Sequence, residues 1–214
     1  MQNSLKFPRI PHLPQSPGKT NDDKVIKTLD NLYKIDLLVT EKLDGSNVCL
    51  ERTGVFARSY TSSPSHPSFN KLKEMHACVS HLIPYDTQIF CEYLFAKHSI
   101  YYDKLSSFLY IIGVRTNDLW VEWDRVLYFS SLLSIPTVPV IKSTTFYNEQ
   151  EIEDFIKYLK ITPRFGPEAE GFVVRPSSYF SDQNFDTLVA KYVRENHVKT
   201  DEHWAENWER NKLI

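Results

Sequence analysis

Cysteine is scarce in this sequence, and long apolar runs are missing from it. The 214 residues include three cysteines, Cys49, Cys78 and Cys91, an odd number at irregular spacing. Such a set predicts neither a disulfide framework nor a metal site. No stretch approaches the roughly 18 apolar residues of a membrane span, and residues 1–6 are too polar for a signal peptide. We therefore expect a soluble protein of the cytoplasm.

A strong excess of one charge is also missing. Lys and Arg number 25 and Asp and Glu number 27, which gives a formal net charge of -2. Proteins that coat nucleic acid through bulk charge are strongly basic, so this composition excludes that class. Any contact with nucleic acid has to come from a local basic surface around a site.

Length and apolar patterning predict one α+β domain over residues 1–214. A chain of this length can bury one substantial core, and it contains neither repeats nor a low-complexity linker. Prolines punctuate residues 7–18 and predict an extended arm over 1–20, because proline interrupts a regular helix. The polar stretch 195–214 carries Trp204 and Trp208 at helical spacing, so we predict a helical tail there.

Strand patterns outnumber helix patterns, and their irregular order favours antiparallel sheets flanked by helices. Asn148, with Glu151 three residues later, predicts a helix start, since these two side chains can cap a first turn. The predicted strands cover 35–40, 47–51, 55–59, 87–94, 108–114, 171–175 and 187–193, and the second and third form a hairpin. The predicted helices cover 22–33, 68–82, 124–133 and the stretch from 148 onward.

Lys42 lies where an apolar strand ends, just before a predicted turn at Asp44 and Gly45. Strand ends and turns commonly present reactive groups. A lysine nucleophile needs its free amine, so its pKa has to fall from about 10.4, and partial burial or nearby cations can lower it. The same four residues, taken alone, also fit a solvated lysine at a hairpin. The interpretation of Lys42 therefore depends on the residues downstream of it in the chain.

Several later stretches supply a pattern. Lys42 to Gly45 resembles motif I of the covalent nucleotidyltransferases, a superfamily of ligases and messenger-RNA capping enzymes. The flanking residues Glu41 and Asn47 resemble those of a narrower group, the RNA ligases typified by the second RNA ligase of phage T4. Further stretches resemble that family's later motifs in the same order: Arg58-Ser59 after the next strand, 90–94 for motif III, 107–114 for motif IIIa, 170–174 for motif IV and 189–193 for motif V. The chain ends about 20 residues after motif V, so it resembles a compact form without a C-terminal domain.

The resemblance implies a nucleotidyltransferase fold of the ATP-grasp-like ligase type and a role for each matching cation. Lys42 would be the nucleophile that takes AMP from ATP. Lys191 would be the second catalytic residue, placing a fixed positive charge at the α-phosphate and lowering the pKa of Lys42. Arg58 would donate to ribose or phosphate oxygens of ATP.

The resemblance also implies roles for the matching carboxylates and amide. Glu92 would accept a ribose hydroxyl of ATP, and Glu170 would support a divalent metal, Mg²⁺ or Mn²⁺. Asn47 would orient the water shell of that metal. Glu41 would contact the adenine edge or the metal region. Mg²⁺ fits such a site because it prefers few carboxylates together with waters and substrate phosphates.

Some positions depart from the family pattern. Motif V often has two lysines, whereas here Val189 and Val193 flank Lys191, and Cys91 stands where glycine is common in motif III. The residue that stacks on adenine stays open, because strand alternation places three candidates on one face. These candidates are Phe108, Tyr110 and Ile112.

The implied function is the joining of RNA ends. Lys42 would take AMP, pass it to an RNA 5′-phosphate, and a 3′-hydroxyl would then attack to seal a nicked or broken RNA. Arg9 and His12 in the arm, together with the tail after Lys191, are expected to contact substrate, and His98 is kept open as a contact for RNA or phosphate. Two alternatives remain: a capping-type guanylyltransferase, and a non-catalytic module that binds nucleotide or RNA.

Overall fold

The computed structural model describes residues 6–58, 63–195 and 208–214. The strands are β1 (Leu37–Lys42), β2 (Ser46–Glu51), β3 (Gly54–Ala57), β4 (Thr87–Tyr93), β5 (Leu109–Thr116), β6 (Leu119–Trp120), β7 (Val140–Thr144), β8 (Gly171–Pro176), β9 (Phe180–Ser181) and β10 (Ala190–Val193). The helices are α1 (Asn70–Val79), α2 (Trp123–Leu133), α3 (Glu149–Tyr158) and the short α4 (Phe185–Leu188). One sheet has the order β10-β8-β1-β7 and the other β3-β2-β4-β5-β6-β9. Every pairing between these strands is antiparallel, which confirms the predicted α+β class.

Strand β1 is buried on both faces and separates two apolar cores. Leu37 and Val39 belong to one core and Leu38 to the other. Successive side chains of a strand point to opposite faces, so a strand between two cores has to be apolar at consecutive positions. The run Leu37–Thr40 meets this requirement and carries the chain to Lys42.

A third buried cluster contains four aromatic rings that we call the aromatic wall. Its members are Phe90, Trp120, Phe180 and Phe185. The ring centroids of Trp120 lie 5.1 Å from those of both Phe90 and Phe185, within the usual range for aromatic pairs. This wall brings together β4, β6 and the stretch that contains β9 and α4, which are separated from one another in the sequence.

The helix predicted over 22–33 does not form, apart from a single 3-10 turn at Asp30–Leu32. The backbone N–H of His12 donates to the Lys24 carbonyl at 2.7 Å, and the N–H of Ile26 donates to the His12 carbonyl at 2.9 Å. These backbone groups pair with the arm and so cannot pair within a helix. Of the apolar residues Val25, Leu29 and Leu32, which would share one face of that helix, Leu29 and Leu32 are buried and Val25 is exposed.

Residues 6–20 contain no helix and run beside β10. The N–H of Lys191 donates to the Pro11 carbonyl at 2.9 Å, and the N–H of Leu13 donates to the Lys191 carbonyl at 2.8 Å. Farther along, the N–H of Gly18 donates to the Val193 carbonyl at 2.9 Å. The arm therefore adds a hydrogen-bonded segment to the outer edge of the first sheet.

The last described stretch, 208–214, is not helical. It forms isolated bridges from Arg210 to Ala96 and from Leu213 to Leu105, so the predicted helical tail does not extend over it. Residues 196–207, which include Trp204, lie outside the described residues, as do 59–62. The ring of Trp208 lies 5.5 Å from that of Phe95.

Most other elements agree with the sequence pattern. The β2–β3 hairpin forms, and α3 starts after Asn148, whose side chain accepts from the Glu151 N–H at 3.0 Å. The edge strand β7 was not predicted, because its residues alternate too weakly between apolar and polar to mark a strand. Among the described residues, no helix is long and apolar enough to cross a membrane.

Gly171 supplies a test of the β8–β10 pairing. A Cβ at this position would overlap the backbone carbonyl oxygen of Tyr192, whereas a Cβ at Gly54 would have its nearest neighbour 3.7 Å away on Phe56. We expect Gly171→Ala to lower the free energy of unfolding by about 1–3 kcal/mol, as forced overlaps in packed structure do. Gly54→Ala is the matched control and should be neutral or stabilising by at most about 1 kcal/mol. Urea unfolding measures both, and equal midpoints would contradict the close approach.

Candidate active site

A cavity of about 690 Å³ opens between the two sheets. Six of the seven predicted site residues line it: Glu41, Lys42, Asn47, Arg58, Glu92 and Lys191. The seventh, Glu170, contacts the Lys42 side chain directly. Stretches separated by up to about 150 residues thus meet around one space, as the order of the motifs suggested.

Lys42 and Glu170 form the central contact of this site. Lys42 is the last residue of β1 and pairs in register with Gly171, the first residue of β8. This register puts Glu170, which directly precedes β8, beside the lysine. Lys42 Nζ donates to Glu170 Oε2 at 2.6 Å, and the two side chains are 24% and 6% exposed.

The charge of Lys42 differs from the sequence-based expectation. Burial acts to lower the pKa of Lys42, but the carboxylates of Glu170 and Glu92 outweigh burial and raise it above the ordinary value for lysine. Lys191 responds in the opposite direction, since burial and then the charge of Lys42 lower its pKa. The expected lowering of the Lys42 pKa is therefore absent from this arrangement, in which Lys42 is an ammonium held by carboxylates.

Glu92 lies at the floor of the site on β4. Its Oε1 accepts from the Gly45 N–H at 3.1 Å. Burial raises the pKa of Glu92 to about 7, helped by the charges of Glu170 and Asp44 and opposed by Lys42. The carboxyl group therefore changes its ionisation close to neutral pH.

The turn after Lys42 is fixed by its own aspartate. Asp44 Oδ2 accepts from the backbone N–H groups of Ser99 and Ile100 at 2.7 and 2.9 Å. The Asp44 N–H donates to the Tyr102 hydroxyl at 2.9 Å. Carboxylate–amide hydrogen bonds of this kind are among the stronger ones in proteins, so the turn is held rigidly below the lysine.

Glu41 is buried although its carboxylate finds little support. Only 2% of the residue is exposed, and neither carboxylate oxygen accepts a hydrogen bond of ordinary geometry from the described residues. Burial raises the pKa of Glu41 to about 7, and the Arg164 backbone amide and charge offset this only in part. Such an acceptor is costly to bury unless a ligand or a proton satisfies it.

Arg58, Asn47 and His98 also line the cavity. Arg58 is exposed and directly precedes residues 59–62, so its predicted neighbour Ser59 lies outside the described residues. His98 Nε2 lies 3.2 Å from Ser46 Oγ. These side chains can therefore contact a ligand in the cavity.

A β-bulge separates the three candidates for the base-stacking residue. Phe90 pairs with Gly113 and Cys91 with Ile111, so Ile112 is an extra residue in β5. A bulge redirects the side chain that it inserts, and strand alternation does not extend across it. Of Phe108, Tyr110 and Ile112, only Ile112 lines the cavity, together with Val173 of β8. The prediction that all three share one face is therefore wrong.

Some lining residues were not predicted. Trp120 and Phe180 lie in two-residue strands that are too short to show alternation, and Arg175 is a cation inside an apolar strand. Arg175 is 5% exposed and donates to the carbonyls of Ile112 and Val121 at 3.2 and 3.3 Å. Burial lowers the pKa of Arg175 to about 10. A lone arginine in a strand of apolar residues was the available signal.

The two antiparallel sheets around Lys42 and its carboxylates match the fold of ATP-dependent ligases of known structure. The sequence pattern of the RNA ligase family matches residues 35–193, so the chain belongs to the RNA ligase family. No curated protein sequence matches the chain significantly.

Solved structures share this fold at low sequence identity. An archaeal ATP-dependent RNA ligase is 15% identical with a TM-score of 0.55, and the match covers 88% of this chain and 48% of that one. A putative ATP-dependent DNA ligase from Aquifex aeolicus is 15% identical with a TM-score of 0.53, covering 88% and 50%. A lysine-to-alanine mutant of Naegleria gruberi RNA ligase, with ATP and Mn, is 14% identical with a TM-score of 0.52, covering 88% and 58%. The chain thus spans about half the length of these structures.

The Lys42–Glu170 contact gives a prediction for the ionisation of the lysine. In Glu170→Gln the strongest attraction for the ammonium is removed while burial remains, so the pKa of Lys42 should fall. The pH dependence of Lys42 acylation, followed by peptide mass spectrometry, measures this pKa, and the midpoint should move to lower pH.

Glu168→Gln is the matched control, because Glu168 Oε2 pairs with Arg194 Nη2 at 2.6 Å. That variant should keep the wild-type midpoint. Equal midpoints for wild type and Glu170→Gln would show that Glu170 does not hold Lys42 protonated.

Proposed function

We propose that this chain is an ATP-dependent RNA ligase in which Lys42 forms a covalent lysine–AMP intermediate. The observation that carries the proposal is the position of Lys42 Nζ, at the end of β1 in a cavity of about 690 Å³, between buried carboxylates and the cation Lys191. The membership of the RNA ligase family supports RNA as the polymer.

The first step is transfer of AMP. The free amine of Lys42 attacks the α-phosphorus of ATP and forms a P–N bond, while the P–O bond to the β-phosphate breaks and pyrophosphate leaves with the electron pair. In the later steps an RNA 5′-phosphate oxygen displaces the lysine from AMP, and a 3′-hydroxyl then displaces AMP from the RNA. This chemistry needs positioning and neutralisation of charge more than covalent help from the protein.

Lys42 has to lose a proton before it can attack. Glu170 Oε2, at 2.6 Å, is within range to accept that proton, and Glu92 has a pKa near neutrality. Lys191, whose pKa is lowered by burial, stays in the field of Lys42 and would neutralise charge at the α-phosphate. The protein's own residues thus supply the proton acceptor and the fixed cation.

The remaining contacts are inferred from the lining of the cavity. Glu92 would accept a ribose hydroxyl, and Arg58 would donate to ribose or phosphate oxygens. Glu41, whose buried carboxylate oxygens accept no hydrogen bond of ordinary geometry within the described part of the chain, would accept from the adenine amino group. Ile112 and Val173 are apolar residues of the lining and would contact the planar base.

The carboxylates fit a divalent cation such as Mg²⁺ or Mn²⁺. No group of three or more metal-ligating side chains occurs among the described residues, which suits an ion held by one or two carboxylates plus waters and substrate phosphates. Glu170 would hold the ion and Asn47 its water shell. Such an ion, when bound, neutralises phosphate charge. A carboxylate that binds a divalent ion attracts the Lys42 ammonium less strongly. Glu170 would therefore pair with Lys42 before the ion binds and hold the ion afterwards.

Three further proposals concern the RNA substrate, the domain organisation and the cellular compartment. We infer that the substrate is a nicked or broken RNA. We also infer that the chain works as a single adenylyltransferase domain, because both sheets and the arm contribute to one cavity. The three free cysteines, two of them buried, support a reducing compartment such as the cytoplasm.

The adenylation step can be tested with labelled nucleotide. The protein is incubated with α-labelled ATP or GTP and Mg²⁺, and protein-bound label is measured. We expect label from ATP that is lost in Lys42→Ala and kept in Lys71→Ala, a control on the exposed surface of α1. Label from GTP alone would instead indicate a capping-type guanylyltransferase, and no label from either would leave a non-catalytic binding module.

The polymer is tested separately with defined ends. Strands with a 3′-hydroxyl and a 5′-phosphate are offered as nicked duplex RNA, single-stranded RNA and the equivalent DNA, and ligated product is resolved by gel electrophoresis. We expect RNA 3′-hydroxyl ends to be sealed, with the loss of sealing in Lys42→Ala. Sealing restricted to DNA ends would overturn the RNA assignment.

A further inference from the structure

The arm crosses the cavity between two anchors. On one side, the ring of Phe7 lies 5.2 Å from Phe90 and 5.6 Å from Trp120, so it packs on the aromatic wall. On the other side, Pro11 accepts from the Lys191 N–H at 2.9 Å. Arg9 lies midway between these anchors and lines the cavity. Its backbone is therefore held over the same space that contains Lys42.

The guanidinium of Arg9 is exposed and forms an ion pair with Asp23. One guanidinium nitrogen, Nη2, lies 3.1 Å from Asp23 Oδ1, and the Arg9 side chain is 56% exposed. Exposed ion pairs of this kind contribute little to stability and exchange readily for other partners. By contrast, the guanidinium of Arg175 is buried against backbone carbonyls. Arg9 can thus leave its partner without disturbing the core.

Asp23 provides a fixed resting place for this cation. Its Oδ2 accepts from the Thr20 N–H at 2.9 Å and from the Thr20 hydroxyl at 3.0 Å. The Thr20 amide is the main reason that the pKa of Asp23 is lowered to about 2, so the carboxylate is ionised at any working pH. It is an anion at the edge of the cavity that a phosphate could replace as the partner of Arg9.

Arg9 and Lys191 share one electrostatic environment. The charge of Arg9 is among the causes that lower the pKa of Lys191, after burial and the charge of Lys42. The carboxylates of Asp23 and Glu170 act on Lys191 in the opposite sense and raise its pKa. Arg9 and Lys191 are therefore two cations that can act on one anionic leaving group once Arg9 has left Asp23.

We propose that Arg9 is a pyrophosphate-binding residue, which exchanges the Asp23 carboxylate for the β- and γ-phosphate oxygens of ATP. This inference rests on the proposed function. When Lys42 attacks and the bond from the α-phosphorus to the bridging oxygen breaks, the electron pair goes to pyrophosphate. The planar guanidinium donates two parallel hydrogen bonds to it and changes no protonation state, since arginine stays charged.

The test separates steps that involve pyrophosphate from those that do not. Arg9→Ala should lower kcat/KM for lysine–AMP formation roughly 10- to 100-fold, the loss expected for a charge-assisted hydrogen bond. It should also slow the release of AMP from adenylylated protein by added pyrophosphate. Sealing of a strand that already carries a 5′-adenylate should be unchanged, because that step needs no pyrophosphate.

Two variants control for charge and for general surface effects. Arg9→Lys keeps the positive charge but lacks the planar guanidinium that donates two parallel hydrogen bonds. Its kcat/KM for lysine–AMP formation should lie between the values for wild type and Arg9→Ala. Arg125→Ala removes an exposed arginine on α2 that stacks over Tyr128, and it should behave as wild type in every assay. Thermal unfolding checks that each variant is folded.

The outcomes against the proposal are distinct. Unchanged lysine–AMP formation in Arg9→Ala would overturn it, and so would an equal loss in the sealing of pre-adenylated strands, which would indicate an RNA contact or a structural role. If the wild type forms no lysine–AMP, the proposed function fails. Calorimetric titration with inorganic pyrophosphate then still tests Arg9, because weaker binding by Arg9→Ala would support the site and equal binding would overturn it.

Discussion

The ion pair between Lys42 and Glu170 couples the chemistry of the site to the pairing of two strands. Lys42 ends β1, and Glu170 directly precedes β8, so the register Lys42–Gly171 is what places amine and carboxylate 2.6 Å apart. A slip of one residue would turn Lys42 toward the opposite face of the sheet. The two apolar cores on either side of β1 oppose such a slip and so keep the Glu170 carboxylate beside the Lys42 amine.

The same pair sets the condition for reactivity. A lysine held as an ammonium is not a nucleophile, and here carboxylates outweigh burial in setting its charge. Neutral carboxyl groups would reverse that balance. Glu92, whose charge acts on Lys42 and whose pKa lies near 7, is poised for it at neutral pH. Reactivity is therefore a property of the whole group of acids around the amine and not of Lys42 alone.

Sequence was a good guide where a stretch could be matched to a motif of a known family. Lys42, Asn47 and Glu92 were predicted to share one site because the stretches around them resemble RNA ligase motifs, and all three line one cavity. Their roles remain predictions. The position of Ile112 could not be predicted, since a bulge is set by the pairing partner and leaves no periodic signal. The prediction of a helix over 22–33 was wrong for a related reason. The backbone of this stretch forms hydrogen bonds with His12, which lies more than ten residues earlier in the chain. Pairing between distant segments is invisible to local pattern.

The contact between the arm and β10 has a consequence for folding during synthesis on the ribosome. Ser16 Oγ accepts from the Val193 N–H at 2.9 Å, which joins positions 177 residues apart. Contacts at such separation form late, since the intervening chain has to be ordered first. During synthesis the arm is made before β10 and cannot pair with it until β10 has been translated. A nascent chain therefore cannot hold Arg9 and Lys191 together, and the complete site appears only after nearly all of the matched family region has left the ribosome.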